Sequence, residues 1–100
     1  MDPITEDIRG ACVDEIFTFV QDELSQVDRS EVGYWCENNA IELSEIYMKY
    51  IGVSYAKVYA SHLMYFIHTT FSVSPSVQLV VGMLRTYVEC QLCDLPYAID

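Results

Sequence analysis

The 100-residue sequence predicts an all-α protein, a small helical bundle of four to five helices. Apolar residues recur with the 3.6-residue period of an amphipathic helix over nearly the whole chain. The breaks between these periodic stretches are short, which favours antiparallel packing of neighbouring helices. Apolar residues make up 52% of the chain, slightly above the roughly 45–50% of ordinary soluble domains. Because no repeat or linker divides the sequence, we expect residues 1–100 to form a single helical domain.

The first helix is predicted to start with Asp2 as its N-cap and Pro3 at its first helical position, and to run to about Ser25. Beyond Gly10 its apolar residues share one side. Polar residues occupy the other side, and they include four acids that we expect to form a solvated acidic face: Asp14, Glu15, Asp22 and Glu23.

The second helix is predicted from Asp28 to Ile51. Asp28 and Glu31 have the spacing of a capping box, and Gly52 is a typical C-terminal stop. Glu45 and Lys49 have the i, i+4 order that favours an ion pair on the helix surface.

The third helix is predicted from Tyr55 to about Phe71, with Ser54 as its cap. It is apolar around most of its circumference, so we expect it to be buried on several sides and central in the bundle. A strand is the competing interpretation, but the stretch lacks two-residue alternation. The fourth helix is predicted from Ser74-Pro75 to about Cys93.

The net charge of −10 is concentrated in the first half of the chain, where residues 1–45 hold twelve of the fifteen acids. A chain this acidic should repel phosphate backbones, so we expect no direct binding of nucleic acid and none to anionic membrane surfaces. The weakly charged stretch from Val58 to Leu84 is interrupted by polar residues and a proline. This pattern argues against a membrane span.

The N-terminus lacks the basic and apolar regions of a secretory signal. We therefore expect an intracellular location, cytoplasmic or nuclear, and mostly reduced cysteines. Cys90 and Cys93 form a CxxC motif with three interpretations. Cys90 packs as a small apolar residue while Cys93 lies near the surface, or the pair is half of a zinc site, or it is a redox pair. The other potential ligands, which are Cys12, Cys36, His62 and His68, do not have finger or ribbon spacing. Structural packing is favoured, and neither a metal nor another cofactor is expected.

No catalytic constellation is recognisable. His62 and His68 lie six residues apart, which places them on different faces of the third helix, His62 in the core and His68 in solvent. A nucleophile elbow and a glycine-rich oxyanion loop are both missing from the sequence. We therefore expect a protein that is not an enzyme.

Tyrosine is unusually abundant, with eight residues in the chain and five between positions 47 and 65. Tyrosine combines apolar area with a polar tip, which suits a protein interface. The candidate partner-binding residues are Tyr47, Tyr50, Tyr55 and Tyr59. Packing of these rings in the core, with their hydroxyls at the surface, is an equally good interpretation.

These observations favour a non-catalytic protein-interaction module or regulator. We expect it to form a homo-oligomer through an apolar, tyrosine-rich helical surface and to bind another protein. The alternative is an acidic inhibitor that imitates nucleic acid and occupies a basic cleft of its target.

Overall fold

The structure, a computed structural model, describes residues 5–73 and 76–93. These residues form four α-helices: α1 (Glu6–Leu24), α2 (Val32–Ile51), α3 (Val53–Val73) and α4 (Val77–Cys93). A single 3-10 turn at Arg29–Glu31 precedes α2. The described part of the chain contains no β-strand. The predicted all-α fold is therefore confirmed, with four helices.

The four helices pack in a ring. Helix α1 lies against α2 and α4, and α3 lies against the same two helices on the other side. As a result α1 and α3 are at opposite corners, and so are α2 and α4. The expected central position of the third helix is thus imprecise, because α3 packs principally against two neighbours like every other helix. Its apolar circumference is only partly buried, and Val58 and Tyr65 face solvent.

The core lies inside this ring and is built from residues spaced three or four apart on each helix. Complete burial of large side chains from all four helices makes one continuous apolar interior. Representative members are Ile16, Leu24, Leu43, Tyr47, Leu63, Ile67, Leu84 and Leu92.

Helix α1 begins at Glu6 because the Thr5 hydroxyl accepts a hydrogen bond from the Ile8 backbone N–H at 3.1 Å. The expected caps Asp2 and Pro3 lie outside the described residues. Helix α4 begins in a similar way, with the Ser76 hydroxyl accepting from the Leu79 N–H at 3.2 Å. Ser74 and Pro75 also lie outside the described residues.

The capping box expected at Asp28 and Glu31 does not form. The Asp28 side chain makes no capping hydrogen bond, and the Glu31 N–H instead donates to the Asp28 carbonyl at 2.8 Å. This bond closes the 3-10 turn, so α2 starts later, at Val32. The C-terminal end is as predicted: Gly52 follows Ile51 with φ of 85°, a conformation that favours glycine.

Candidate interaction surfaces

Of the four acids predicted to form a solvated face, Asp14, Asp22 and Glu23 are exposed and Glu15 is half-buried, and three of the four also bond to a neighbouring helix. The Asp14 carboxylate accepts a hydrogen bond from Nη2 of Arg85 on α4, with 2.6 Å between Oδ1 and Nη2. On the α2 side, Glu15 accepts hydrogen bonds from Lys49 at 2.8 Å and from the Tyr50 hydroxyl at 2.6 Å. The four predicted acids therefore do not form one uniform surface.

Glu23 makes a third such connection, accepting a hydrogen bond from the indole N–H of Trp35 at 3.4 Å. Asp22 differs from the other three, because its carboxylate bonds to no other helix in the described residues and its backbone carbonyl accepts hydrogen bonds from the side chains of Ser25 and Gln26. The predicted Glu45 and Lys49 pair is replaced by the pairing of Lys49 with Glu15. Hydrogen bonds from Lys49 and Tyr50 lower the pKa of the Glu15 carboxyl.

The four candidate tyrosines divide into two groups. Tyr47 is fully buried, and its hydroxyl donates to the side chain of Gln91 on α4. Burial raises its pKa well above the usual value. Tyr47 is thus a core residue. The prediction that it lies on a partner surface is wrong, because its side chain points into the core between the helices. Tyr50 is half-buried at the contact between α1 and α2, where it is bonded to Glu15.

Tyr55 and Tyr59 lie one turn apart on α3. Tyr55 is exposed, and its ring meets Tyr59 edge to face with centroids 5.9 Å apart. Tyr59 is half-buried, and its backbone carbonyl accepts a hydrogen bond from Gln91 at 3.0 Å. Tyr59 therefore lies at the junction of α3 and α4, and its ring also meets the buried Tyr47 edge to face with centroids 6.1 Å apart.

An apolar depression runs along that junction. Its wider part has a volume of about 540 Å³, and its floor includes Phe66 and Tyr87, whose rings stack with centroids 4.3 Å apart. Tyr87 and Cys90 also line a second depression that reaches Tyr59 and His62. We call the combined surface the α3–α4 seam, formed by Tyr59, His62, Phe66, Gln78, Leu79, Gly82, Met83, Thr86, Tyr87, Cys90 and Gln91.

Leu79 and Met83 make the seam an unusual surface. They are 50% and 43% exposed on the outer side of α4, beside Gly82 and Thr86. Each is adjacent in sequence to a buried residue, Val80 or Leu84, so helical periodicity assigns all four to one apolar face and only the packing separates the buried pair from the exposed pair. The sequence did hold a signal for this exposed surface. The apolar face of α4 is wider than one helix of a four-helix ring can bury, so part of it has to face solvent.

Charge is distributed very differently from apolar area. The described part of α1, the 3-10 turn and α2 hold ten acids against three basic residues. Helices α3 and α4 hold only Lys57, Arg85 and Glu89, together with the two histidines. None of the three charged residues lines the seam, so an uncharged apolar surface lies on a strongly acidic protein.

The cysteines occupy two environments. Cys12 and Cys36 are buried, and burial raises the pKa of the first thiol to about 12 and of the second to about 11. Cys90 and Cys93 are both exposed, so the expected packing of Cys90 as a buried apolar residue is wrong. The described residues include no cluster of three or more side chains suited to holding a metal ion.

The histidines also differ from expectation in one case. His62 is exposed rather than part of the core, and its backbone carbonyl accepts a hydrogen bond from Tyr87 at 3.3 Å. His68 is exposed, as predicted, and lines a depression with Arg29, Tyr34 and Glu37.

Across the described residues, no helix has both the length and the apolar character needed to span a membrane. Comparison with known protein families, with curated proteins and with solved structures found no match to this chain.

Proposed function

We propose that this protein is a non-catalytic protein-interaction module that self-associates through the α3–α4 seam. The observation that carries the proposal is the contrast between the seam, which is apolar and uncharged, and the acidic surface of α1 and α2. Contiguous exposed apolar surface of this kind typically marks an interaction site. Tyr59, at one end of the seam, and the exposed Tyr55 that meets its ring supply the amphipathic rings that interfaces favour.

A second copy of the chain is the best occupant of this surface. Two copies that meet at their seams keep their acidic helices apart, whereas any contact through α1 or α2 would bring like charges together. A twofold interface requires a surface that can pack against itself, and the α4 side of the seam offers one. Leu79 and Met83 project from α4 next to Gly82 and Thr86, so antiparallel packing of two α4 helices places large side chains against small ones.

The alternative, an acidic inhibitor that imitates nucleic acid, has less support. It needs free carboxylates along one face, and Asp14, Glu15 and Glu23 are each bonded to another helix. It also predicts the opposite effect of salt on binding, because attraction to a basic cleft weakens as ions screen it.

The test is the oligomeric state in light scattering or sedimentation at micromolar concentration. We expect the wild type to be a dimer and Gly82→Glu to be a monomer, because the added carboxylate lies in the interface. A side chain at position 82 extends into open space, so the variant should fold.

Two matched variants isolate the effect of position. Thr18→Glu adds the same charge to the exposed side of α1, and Gly82→Ala adds only a methyl group at the seam. Both should remain dimeric. A monomeric wild type would refute self-association, and a dimeric Gly82→Glu would show that the seam is not the interface.

A further inference from the structure

The outer side of α2 carries two large apolar side chains that the bundle does not use. Tyr34 and Ile41 are 70% and 74% exposed. They are seven residues apart, which is two helical turns or about 10 Å along one side of the helix. Polar residues would serve equally well at both positions if this side of α2 had only to face water.

Four carboxylates accompany these two side chains. Glu31, Glu37, Glu42 and Glu45 are all exposed, and none of them takes part in an ion pair among the described residues. Lys49, the basic residue nearest in sequence to Glu45, is bonded to Glu15. We call Tyr34, Ile41 and these four acids the α2 stripe, in which Glu31 belongs to the 3-10 turn that leads into the helix.

We infer that the α2 stripe is a docking site for a basic amphipathic helix of another protein. The argument is charge complementarity: two apolar anchors accompanied by unpaired carboxylates match an apolar helix face flanked by lysine or arginine. The two-turn spacing matches the repeat of apolar positions along a helix packed beside α2. A second copy of this chain does not fit, because its own α2 stripe would oppose like charges.

This inference deepens the proposed function, since it rests on the chain being an interaction module and names the chemistry of its partner. It uses a different surface from the one proposed for self-association. The stripe lies on α2 and the 3-10 turn before it, whereas the seam lies on α3 and α4, so the two surfaces share no residue.

The experiment uses a synthetic helical peptide with leucine along one face and lysine on both flanks, titrated into the full chain by calorimetry. We expect saturable binding that weakens as salt is raised. In the double variant Tyr34→Ala, Ile41→Ala, affinity should fall about tenfold or more, because a few large side chains that become buried on binding dominate the energy of an interface. Glu37→Gln with Glu42→Gln should flatten the salt dependence.

Val58→Ala is the matched control, because Val58 is an exposed apolar residue on α3 outside the stripe. It should bind the peptide as the wild type does. A peptide with glutamine in place of lysine should bind much more weakly. Equal affinity of that neutral peptide, or of the Tyr34→Ala, Ile41→Ala variant, would overturn the inference.

The seam variant separates this inference from the proposed function. Gly82→Glu should bind the peptide as tightly as the wild type even though it no longer dimerises. If peptide binding is lost in Gly82→Glu and kept in the Tyr34→Ala, Ile41→Ala variant, the peptide docks at the seam and the inference is wrong. If the wild type is monomeric but binds through the stripe, self-association fails and the inference stands.

Discussion

Tyr47 and Tyr34 are the same residue type on the same helix, yet one is buried in the core and the other is 70% exposed. The difference comes from their angular positions on α2, since thirteen residues at 100° each place them on opposite sides of the helix. Composition drew attention to tyrosine, but it could not tell which rings point inward. Of the four candidates only Tyr59 lines the seam, and the exposed Tyr55 meets its ring.

The cysteines allow a direct test of the burial pattern. In the native protein we expect two of the four thiols to react with an aromatic disulfide reagent, because Cys90 and Cys93 are exposed while Cys12 and Cys36 are buried. The raised pKa values of the buried thiols, about 12 and about 11, further reduce the reactive thiolate at neutral pH.

The measurement is a count of thiols released in native buffer and in denaturant, where all four should react. The variant Cys90→Ser, Cys93→Ser should show almost no rapid reaction while keeping its helical circular dichroism. Rapid reaction of four thiols in the native wild type would contradict the burial of Cys12 and Cys36.

At the scale of the helices, the apolar period predicted all four elements to within a few residues, because each helix buries one face in the ring. The ends were harder to predict. The Asp28 and Glu31 pair has the right spacing for a capping box, but the backbone closes a 3-10 turn there instead. Which helices pack together was not predictable either. The apolar residues around α3 suggested that α3 lies at the centre of the bundle, but α3 packs principally against α2 and α4 and leaves part of its apolar surface exposed.

Two glycines with opposite roles test this description of the helices. Gly10 lies inside α1, where an added Cβ meets nothing within 4 Å. We therefore expect Gly10→Ala to stabilise the fold by about 0.5–1 kcal/mol, through helix propensity. Gly52 has φ of 85° and ψ of 171°, a backbone conformation that residues with a side chain rarely adopt. We therefore expect Gly52→Ala to lower the free energy of unfolding by about 1–3 kcal/mol.

Urea denaturation followed by circular dichroism measures both changes under the same conditions. The comparison is internal, since each variant adds one methyl group to the same chain. A destabilised Gly10→Ala would show that α1 is not a continuous helix at that position, and a neutral Gly52→Ala would mean that the turn between α2 and α3 has another conformation.

For the whole molecule, the separation of charge from apolar area governs how copies meet. Two chains of net charge −10 repel each other at long range. Salt screens this repulsion over about 10 Å at 0.1 M. We therefore expect self-association to become stronger as salt is raised, in contrast to peptide binding at the α2 stripe.

A variant with Asp14→Asn, Glu15→Gln, Asp22→Asn and Glu23→Gln has its net charge reduced to −6. It should dimerise more tightly at low salt and respond less to added salt. The ion pairs it loses are exposed and worth about 0–1 kcal/mol each, so the fold should persist. Sedimentation at two salt concentrations measures this, and a dimer that weakens with salt would contradict the seam as an uncharged interface.

The opposite corners occupied by α2 and α4 have a consequence for valency. In a pair of chains joined at their α4 helices, the two α2 stripes would point outward on opposite sides. Such a pair is bivalent: it could crosslink two partner molecules, or grip one partner that carries two basic helices on a sufficiently long tether. For that second kind of partner, effective concentration alone could strengthen binding by a factor of about 10²–10⁴ without any new contact.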